Sequence, residues 1–241
     1  MRNNFSPVQE KPTFRGGFDR QEQNEFATVL KEIVFLERDV ESAKIDLALK
    51  SDFNLLDAFR MFDMKAFSYV SSDDIMYGLA NGLGFSEFNP DDIYLFFRRV
   101  DSTSRGRINF HEFSEALLPF SQEYAGLVTD RPDYYIRRGC DVTHFFNCDT
   151  RSEFQSVWRA IIRAERAIEN LRQQLTARPY FTIRGAFEHI DRDGDGFIRS
   201  CDLRDILADN GFYATERELA GLVHRLDQDK DNRISLAEFS E

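Results

Sequence analysis

One pattern occurs four times in this chain, and it constrains the fold more than any other feature. The segments "LLDAFRMFD", "YLFFRRVD", "IRGAFEHID" and "LAGLVHRLD" align on their final aspartates, Asp63, Asp101, Asp191 and Asp227. Four residues before each aspartate stand Phe59, Phe97, Phe187 and Val223, and one before it stand Phe62, Val100, Ile190 and Leu226. Apolar residues three apart share one face of a helix. Each aspartate also opens a stretch of twelve residues. Its eighth position is β-branched every time (Val70, Ile108, Ile198, Ile234), and the residue after it is apolar every time (Ile75, Phe113, Leu203, Phe239). The unit is therefore helix, twelve-residue loop, helix. Asp63 and Asp101 are 38 residues apart, Asp191 and Asp227 are 36 apart, and a longer gap separates the two pairs.

This pattern resembles the EF-hand superfamily in its paired, calmodulin-like arrangement, over roughly residues 52–118 and 180–241. The resemblance implies an all-α fold of two paired lobes. It also implies that the β-branched eighth positions of each pair meet in a two-residue antiparallel ladder.

The loops differ in what they can hold. A hard divalent cation takes oxygens from loop positions 1, 3, 5, 7 (a backbone carbonyl), 9 and 12, and glycine at position 6 permits the sharp turn. In "DQDKDNRISLAE", Asp227, Asp229 and Asp231 fill positions 1, 3 and 5. Arg233 offers its carbonyl, Ser235 suits the water-linked position 9, and Glu238 is a long, bidentate closing ligand. Asn232 replaces the glycine, a mild departure because Asn tolerates the left-handed region.

In "DRDGDGFIRSCD", Asp191, Asp193 and Asp195 are in place, Gly196 takes the turn and Phe197 gives a carbonyl. Arg199 at position 9 is no ligand, and Asp202 at position 12 is one methylene shorter than Glu. A single oxygen from Asp202 suits six-coordinate Mg²⁺ better than seven-coordinate Ca²⁺. Ca²⁺ is the expected ion overall, with Mg²⁺ as an alternative at 191–202. The other two loops are expected to be inert. "DSTSRGRINFHE" puts Thr103 and Arg105 where acids belong, and "DMKAFSYVSSDD" puts Lys65, Phe67 and Ser68 at positions 3, 5 and 6.

Outside the repeats, residues 1–19 read as a tail without the hydrophobic core of a secretory signal. Residues 20–50 read as a long helix with Phe26, Leu30, Ile33, Val40 and Leu47 on its apolar face, laid against its own lobe, and Asp52 is expected to cap the helix that follows. The connector 119–149 is too aromatic for a solvated linker. Within it Cys140, His144 and Cys148 lack a fourth ligand, so zinc is not expected. Thr150 and Glu153 are read as a capping box opening a helix over 150–178, with Phe154, Val157, Trp158, Ile161, Ile162, Ile168, Leu171 and Leu175 on one face. Its arginines (Arg159, Arg163, Arg166, Arg172) read as a solvated face.

A net charge of -11 argues against nucleic acid, and no apolar run reaches the roughly 18 residues of a membrane span. Three cysteines point to reduced thiols in a cytoplasmic protein. With no glycine-rich phosphate loop, GxSxG or HExxH, no enzyme is expected. The four methionines (Met1, Met61, Met64, Met76) all lie outside the second pair, which argues for few, fixed protein partners rather than an adaptable groove. The chain stops three residues after the last loop, so its exit helix is nearly absent; either the chain is truncated or a partner completes that lobe. The layout is similar to EF-hand proteins of motile cilia, which implies a structural or regulatory subunit of a cytoskeletal or axonemal assembly. A free calmodulin-like sensor, or a regulatory subunit of a kinase or phosphatase, is the alternative.

Overall fold

The computed structural model describes residues 20–85, 87–131, 145–178 and 181–240. The expectations that fall on 1–19, Cys140 and His144 lie outside these residues. The fold is all-α with two lobes of paired helix–loop–helix units and two long helices, α1 (Arg20–Ala48) and α7 (Cys148–Thr176).

The first lobe holds α2 (Leu55–Arg60), α3 (Ser72–Tyr77), which runs on into a π-helical turn over Gly78–Gly82, α4 (Pro90–Val100) and α5 (Phe110–Leu117). The second holds α8 (Ile183–Ile190), α9 (Ser200–Asp209), α10 (Glu216–Leu226) and the four-residue α11 (Leu236–Phe239). A short α6 (Gln122–Thr129) follows the first lobe. The strands β1 (Tyr69–Val70) and β2 (Ile108–Asn109) pair antiparallel with Val70 opposite Ile108. In the second lobe β3 (Phe197–Ile198) and β4 (Ile234–Ser235) pair with Ile198 opposite Ile234. The β-branched positions thus form the ladders that the repeat implied.

Backbone conformation repeats even where chemistry does not. Position 6 has positive φ in all four loops: Ser68 (64°), Gly106 (66°), Gly196 (88°) and Asn232 (63°). Position 4 does as well: Ala66 (54°), Ser104 (50°), Gly194 (72°) and Lys230 (63°). A non-glycine residue in this region carries roughly 1–2 kcal/mol of strain, so the surrounding loop must hold it there.

Two cores result. The first gathers Phe53, Phe59, Phe62, Ile75, Ile93, Phe96 and Phe113 around Phe154, Val157, Trp158 and Ile161 of α7. Gly78 lies against it so closely that an added Cβ would sit 2.3 Å from the Phe62 ring. The second gathers Phe187, Ile190, Ile198, Leu203, Ile206, Leu219 and Leu222 around Phe26, Leu30 and Val34 of α1.

Helix α1 therefore serves both lobes rather than one. Its first half is part of the second core, and Val40, Leu47 and Ala48 in its second half are part of the first. The seat is specific: Phe26 meets Phe239 edge-on at 6.4 Å, Phe35 meets Phe212 at 5.3 Å, and Arg38 pairs with Glu218.

Three local expectations are corrected. Asn54, not Asp52, caps α2, accepting from the N–H groups of Leu56 and Asp57. Asp52 is used elsewhere: it accepts from Asn147 N–H (2.8 Å) and from the Thr150 hydroxyl. Helix α7 then starts two residues earlier than the sequence suggested, because Asn147 is its cap and takes the Thr150 N–H at 2.9 Å. The arginine face of α7 is also partly engaged, with Arg166 on Asp92, Arg159 on Glu87 (2.9 Å) and Arg172 on Glu169 (3.3 Å).

At the crossing of the lobes sits a knot of four charges. Glu37 of α1 and Glu165 of α7 each bind both Arg99 of α4 and Arg225 of α10. Arg99 reaches Glu165 at 2.7 Å and Glu37 at 2.9 Å; Arg225 reaches Glu165 at 2.8 Å and Glu37 at 2.5 Å. Burial would raise the Glu37 pKa, but Arg99 and Arg225 outweigh it and bring it down to about 2. Lys44, buried nearby, is pushed down to about 8 by burial and by Arg99, against the pull of Glu37 and Glu41. A further cross-lobe pair joins Lys230 to Glu115.

Candidate metal centre

Each acidic loop opens where a helix ends. Helices α8 and α10 stop at Asp191 and Asp227, whose N–H groups still bond to Phe187 and Val223 (2.8 Å each). The aspartates' own carboxylates then turn inward and collect backbone donors. Asp191 accepts from Gly194 (3.0 Å), Asp195 (3.2 Å) and Gly196 (3.0 Å); Asp227 accepts from Lys230 (2.7 Å), Asp231 (3.2 Å) and Asn232 (2.8 Å). These bonds wind each loop into a cup.

The cup brings the first three acidic positions together. Carboxylate oxygens of Asp191, Asp193 and Asp195 lie within 4.8 Å of one another, and so do those of Asp227, Asp229 and Asp231. Asp191 and Asp227 are buried at the base of their cups, while the other four are open to solvent. Crowding is visible in Asp229: an N–H from Asp231 pulls its pKa down, but burial and the carboxylates of Asp231, Glu238 and Asp227 push it up overall. Three carboxylates so placed, all oxygen donors, form the kind of set that a hard divalent cation neutralises.

The closing residues stand outside these triads. Glu238 folds back over its loop: one oxygen accepts from Gln228 (2.9 Å) and Asp229 (3.3 Å), the other from Ser235 N–H and hydroxyl (2.8 and 2.7 Å). In return the Ser235 hydroxyl accepts from Glu238 N–H (3.3 Å) and caps α11. Asp202 is buried and accepts from Arg199 N–H at 2.8 Å. Phe197 opens β3 and Arg233 directly precedes β4, with the Arg233 guanidinium 4.4 Å from the Phe197 ring centre.

The loops of the first lobe carry other side chains at the ligand positions. In loop 63–74 the Lys65 ammonium stands at position 3 and bonds Asp74 at position 12 (3.0 Å). Asp63 is taken up by the N–H groups of Phe67 and Ser68 (2.8 Å each). In loop 101–112 the Ser102 hydroxyl takes one Glu112 oxygen (2.7 Å) and Asn109 N–H the other (3.0 Å). Asp101 accepts from Thr103 and Gly106. Asp63, Asp74, Asp101 and Glu112 bond to the chain itself, as Asp191, Asp227 and Glu238 do, so what sets these two loops apart is that positions 3 and 5 carry no carboxylate. Sequence reasoning did not find the Lys65–Asp74 link, although a lysine at position 3 with an acid at position 12 was its visible sign.

Two pairs of helix–loop–helix units, one with acidic cups, define a class of proteins that bind divalent cations through loops. Residues 180–241 match the EF-hand domain pair family. Residues 180–241 thus carry an EF-hand domain pair of the calmodulin-like kind. It is similar to the probable calcium-binding protein CML11 of Oryza sativa subsp. japonica, 45% identical over 58 residues, which is 24% of this chain and 28% of that one. It is similar also to calcium-dependent protein kinase 9 of the same plant, 42% identical over 57 residues (24% of this chain, 10% of the kinase). Human calcium-binding protein 8 is again 42% identical over 57 residues, covering 24% of this chain and 22% of the relative. The match thus spans well under a third of each relative.

Proposed function

We propose that this protein is a Ca²⁺-binding, non-enzymatic subunit of a larger protein assembly, cytoskeletal or of the ciliary axoneme. The second lobe takes the ions, and the first lobe with the long helices fixes the protein in place. Its partners are then few, fixed and proteinaceous. Asp191, Asp193, Asp195, the Phe197 carbonyl and Asp202 hold one ion. Asp227, Asp229, Asp231, the Arg233 carbonyl, Ser235 through water, and Glu238 hold the other. Ca²⁺ is the expected ion, with Mg²⁺ an alternative at 191–202 because Asp202 is short.

The observation that carries this reading is the seating of α1. A free sensor opens a groove and captures a foreign helix. Here Phe26, Leu30 and Val34 of the chain's own helix already fill the apolar face of the second lobe. A lobe occupied in this way suits a built-in part better than a roaming sensor. The test is co-sedimentation of the full chain with polymerised cytoskeleton, with Ca²⁺ and with chelator. Retention in both conditions is expected. Recovery of soluble partners in Ca²⁺ alone would replace this reading with that of a free sensor. A role beside a kinase or phosphatase is the second reading, supported by the likeness to a calcium-dependent protein kinase.

A further inference from the structure

In both acidic cups the aspartate at position 5 has one oxygen on the backbone and the other on an arginine. Asp195 gives Oδ1 to the Phe197 N–H (2.9 Å), and its Oδ2 is held by Nη1 of Arg199. Asp231 gives Oδ1 to the Arg233 N–H (2.8 Å), and its Oδ2 accepts Nε (3.0 Å) and Nη2 (2.7 Å) of Arg233. The oxygen free to turn toward an ion is, in each loop, the one a guanidinium covers.

The two arginines are not equivalent. Arg233 at position 7 also lies over the Phe197 ring of β3, a second favourable seat. Arg199 stands at position 9, where the 227–238 loop carries Ser235, and it reaches back to Asp195 at position 5. Its charge feels Asp195, then Asp193 and Asp202, which together hold the guanidinium pKa above its usual value. Those three residues are positions 5, 3 and 12 of the same loop.

We propose that Arg199 is a tethered cation that competes with the metal ion for the 191–202 cup, so that this loop fills only after 227–238. The inference rests on the ligand assignment above and adds what sets the order of filling. Entry of an ion must detach Arg199 from Asp195 and then leave a positive charge close to a divalent one. For exposed groups in near-aqueous dielectric this amounts to about a tenfold loss of affinity, shrinking as salt screens the charges.

The test is a Ca²⁺ titration of the full chain by calorimetry and by ¹H–¹⁵N NMR, following the Gly196 and Asn232 amides as separate reporters of the two loops. In the wild type Asn232 saturates first. In Arg199→Ser the Gly196 midpoint falls by about tenfold while that of Asn232 moves by less than about threefold, and raising salt from about 0.05 to 0.5 M narrows the difference between the two proteins. Arg199→Lys, which keeps the charge, stays near the wild type. An unchanged Gly196 midpoint in Arg199→Ser, or a lysine variant that behaves like the serine one, overturns the proposal. Absence of Ca²⁺ binding to the wild type at either loop overturns the ligand assignment itself.

Discussion

Glu165→Gln tests whether the charge knot holds the lobes together. Glu165 is 2% exposed and accepts from Arg99 (2.7 Å) and from both terminal nitrogens of Arg225 (2.9 and 2.8 Å). With Glu37 the four groups are neutral. Replacement by the amide leaves two guanidinium groups facing one carboxylate, with buried Lys44 adding to the excess charge. Breaking one member of a buried ionic cluster costs about 3–5 kcal/mol, mostly because the remaining charge is stranded. At this chain length about 1 kcal/mol corresponds to roughly 2–4 °C, so a fall in Tm of about 6–20 °C is expected.

Circular dichroism melts of the full chain at pH 7 measure it. A second arm makes the result specific. Arg225→Met removes one positive charge, and in the double variant Arg99 and Glu37 are left as a neutral pair. The double variant is expected to lose less than the sum of the two singles, with a coupling of about 1–3 kcal/mol. A Glu165→Gln protein melting within about 2 °C of the wild type, or strictly additive variants, would show that the knot is a set of independent surface contacts and refute the reasoning.

Two further outcomes are expected. The knot makes stability depend on pH at both ends. Glu37 titrates near 2 instead of 4.5, so its contribution is present above pH 4.5 and disappears as pH falls toward 2. Lys44 titrates near 8 instead of 10.5, so stability rises between those values as its buried charge is released. Each shift corresponds to about 3 kcal/mol, and urea titrations across pH should lose the alkaline rise in Lys44→Met. At the metal site, Glu238→Gln removes the bidentate closer and should weaken Ca²⁺ binding at 227–238 on the order of a hundredfold by calorimetry. Unchanged high-affinity binding would refute Glu238 as a ligand.

The loops, the ladders and the contrast between the lobes were legible because they follow from single positions at fixed spacing. Asp at position 1, a β-branched residue at 8 and an apolar residue at 13 state the unit wherever they recur. The positive φ at position 4 was not legible, since Ala66, Ser104 and Lys230 give no hint of it; only Gly194 does. The reach of α1 was not legible for a different reason. Phe26, Leu30, Val40 and Leu47 reveal an apolar stripe, but a stripe does not name its partner, and this one changes lobe at Glu37. The knot was hidden because charged residues in amphipathic helices read as solvated. Its one sign was positional: Arg99 and Arg225 both stand two residues before the first aspartate of an even-numbered loop.

That shared position explains how two lobes of unequal chemistry keep one geometry. In the first lobe Lys65, Ser102 and backbone N–H groups bond to Asp63, Asp74, Asp101 and Glu112, and no acidic triad forms there among the described residues. In the second lobe the triads leave carboxylates facing one another, a repulsion that the fold must withstand. Arg225 leaves α10 two residues before that triad and is bound to both long helices, as Arg99 is from the quieter lobe. The last turn of α10 is thus held by contacts that do not depend on the loop's charge. The acidic cup can then stay formed on a scaffold whose stability comes from elsewhere, from the aromatic core around Trp158 and the stripe of α1.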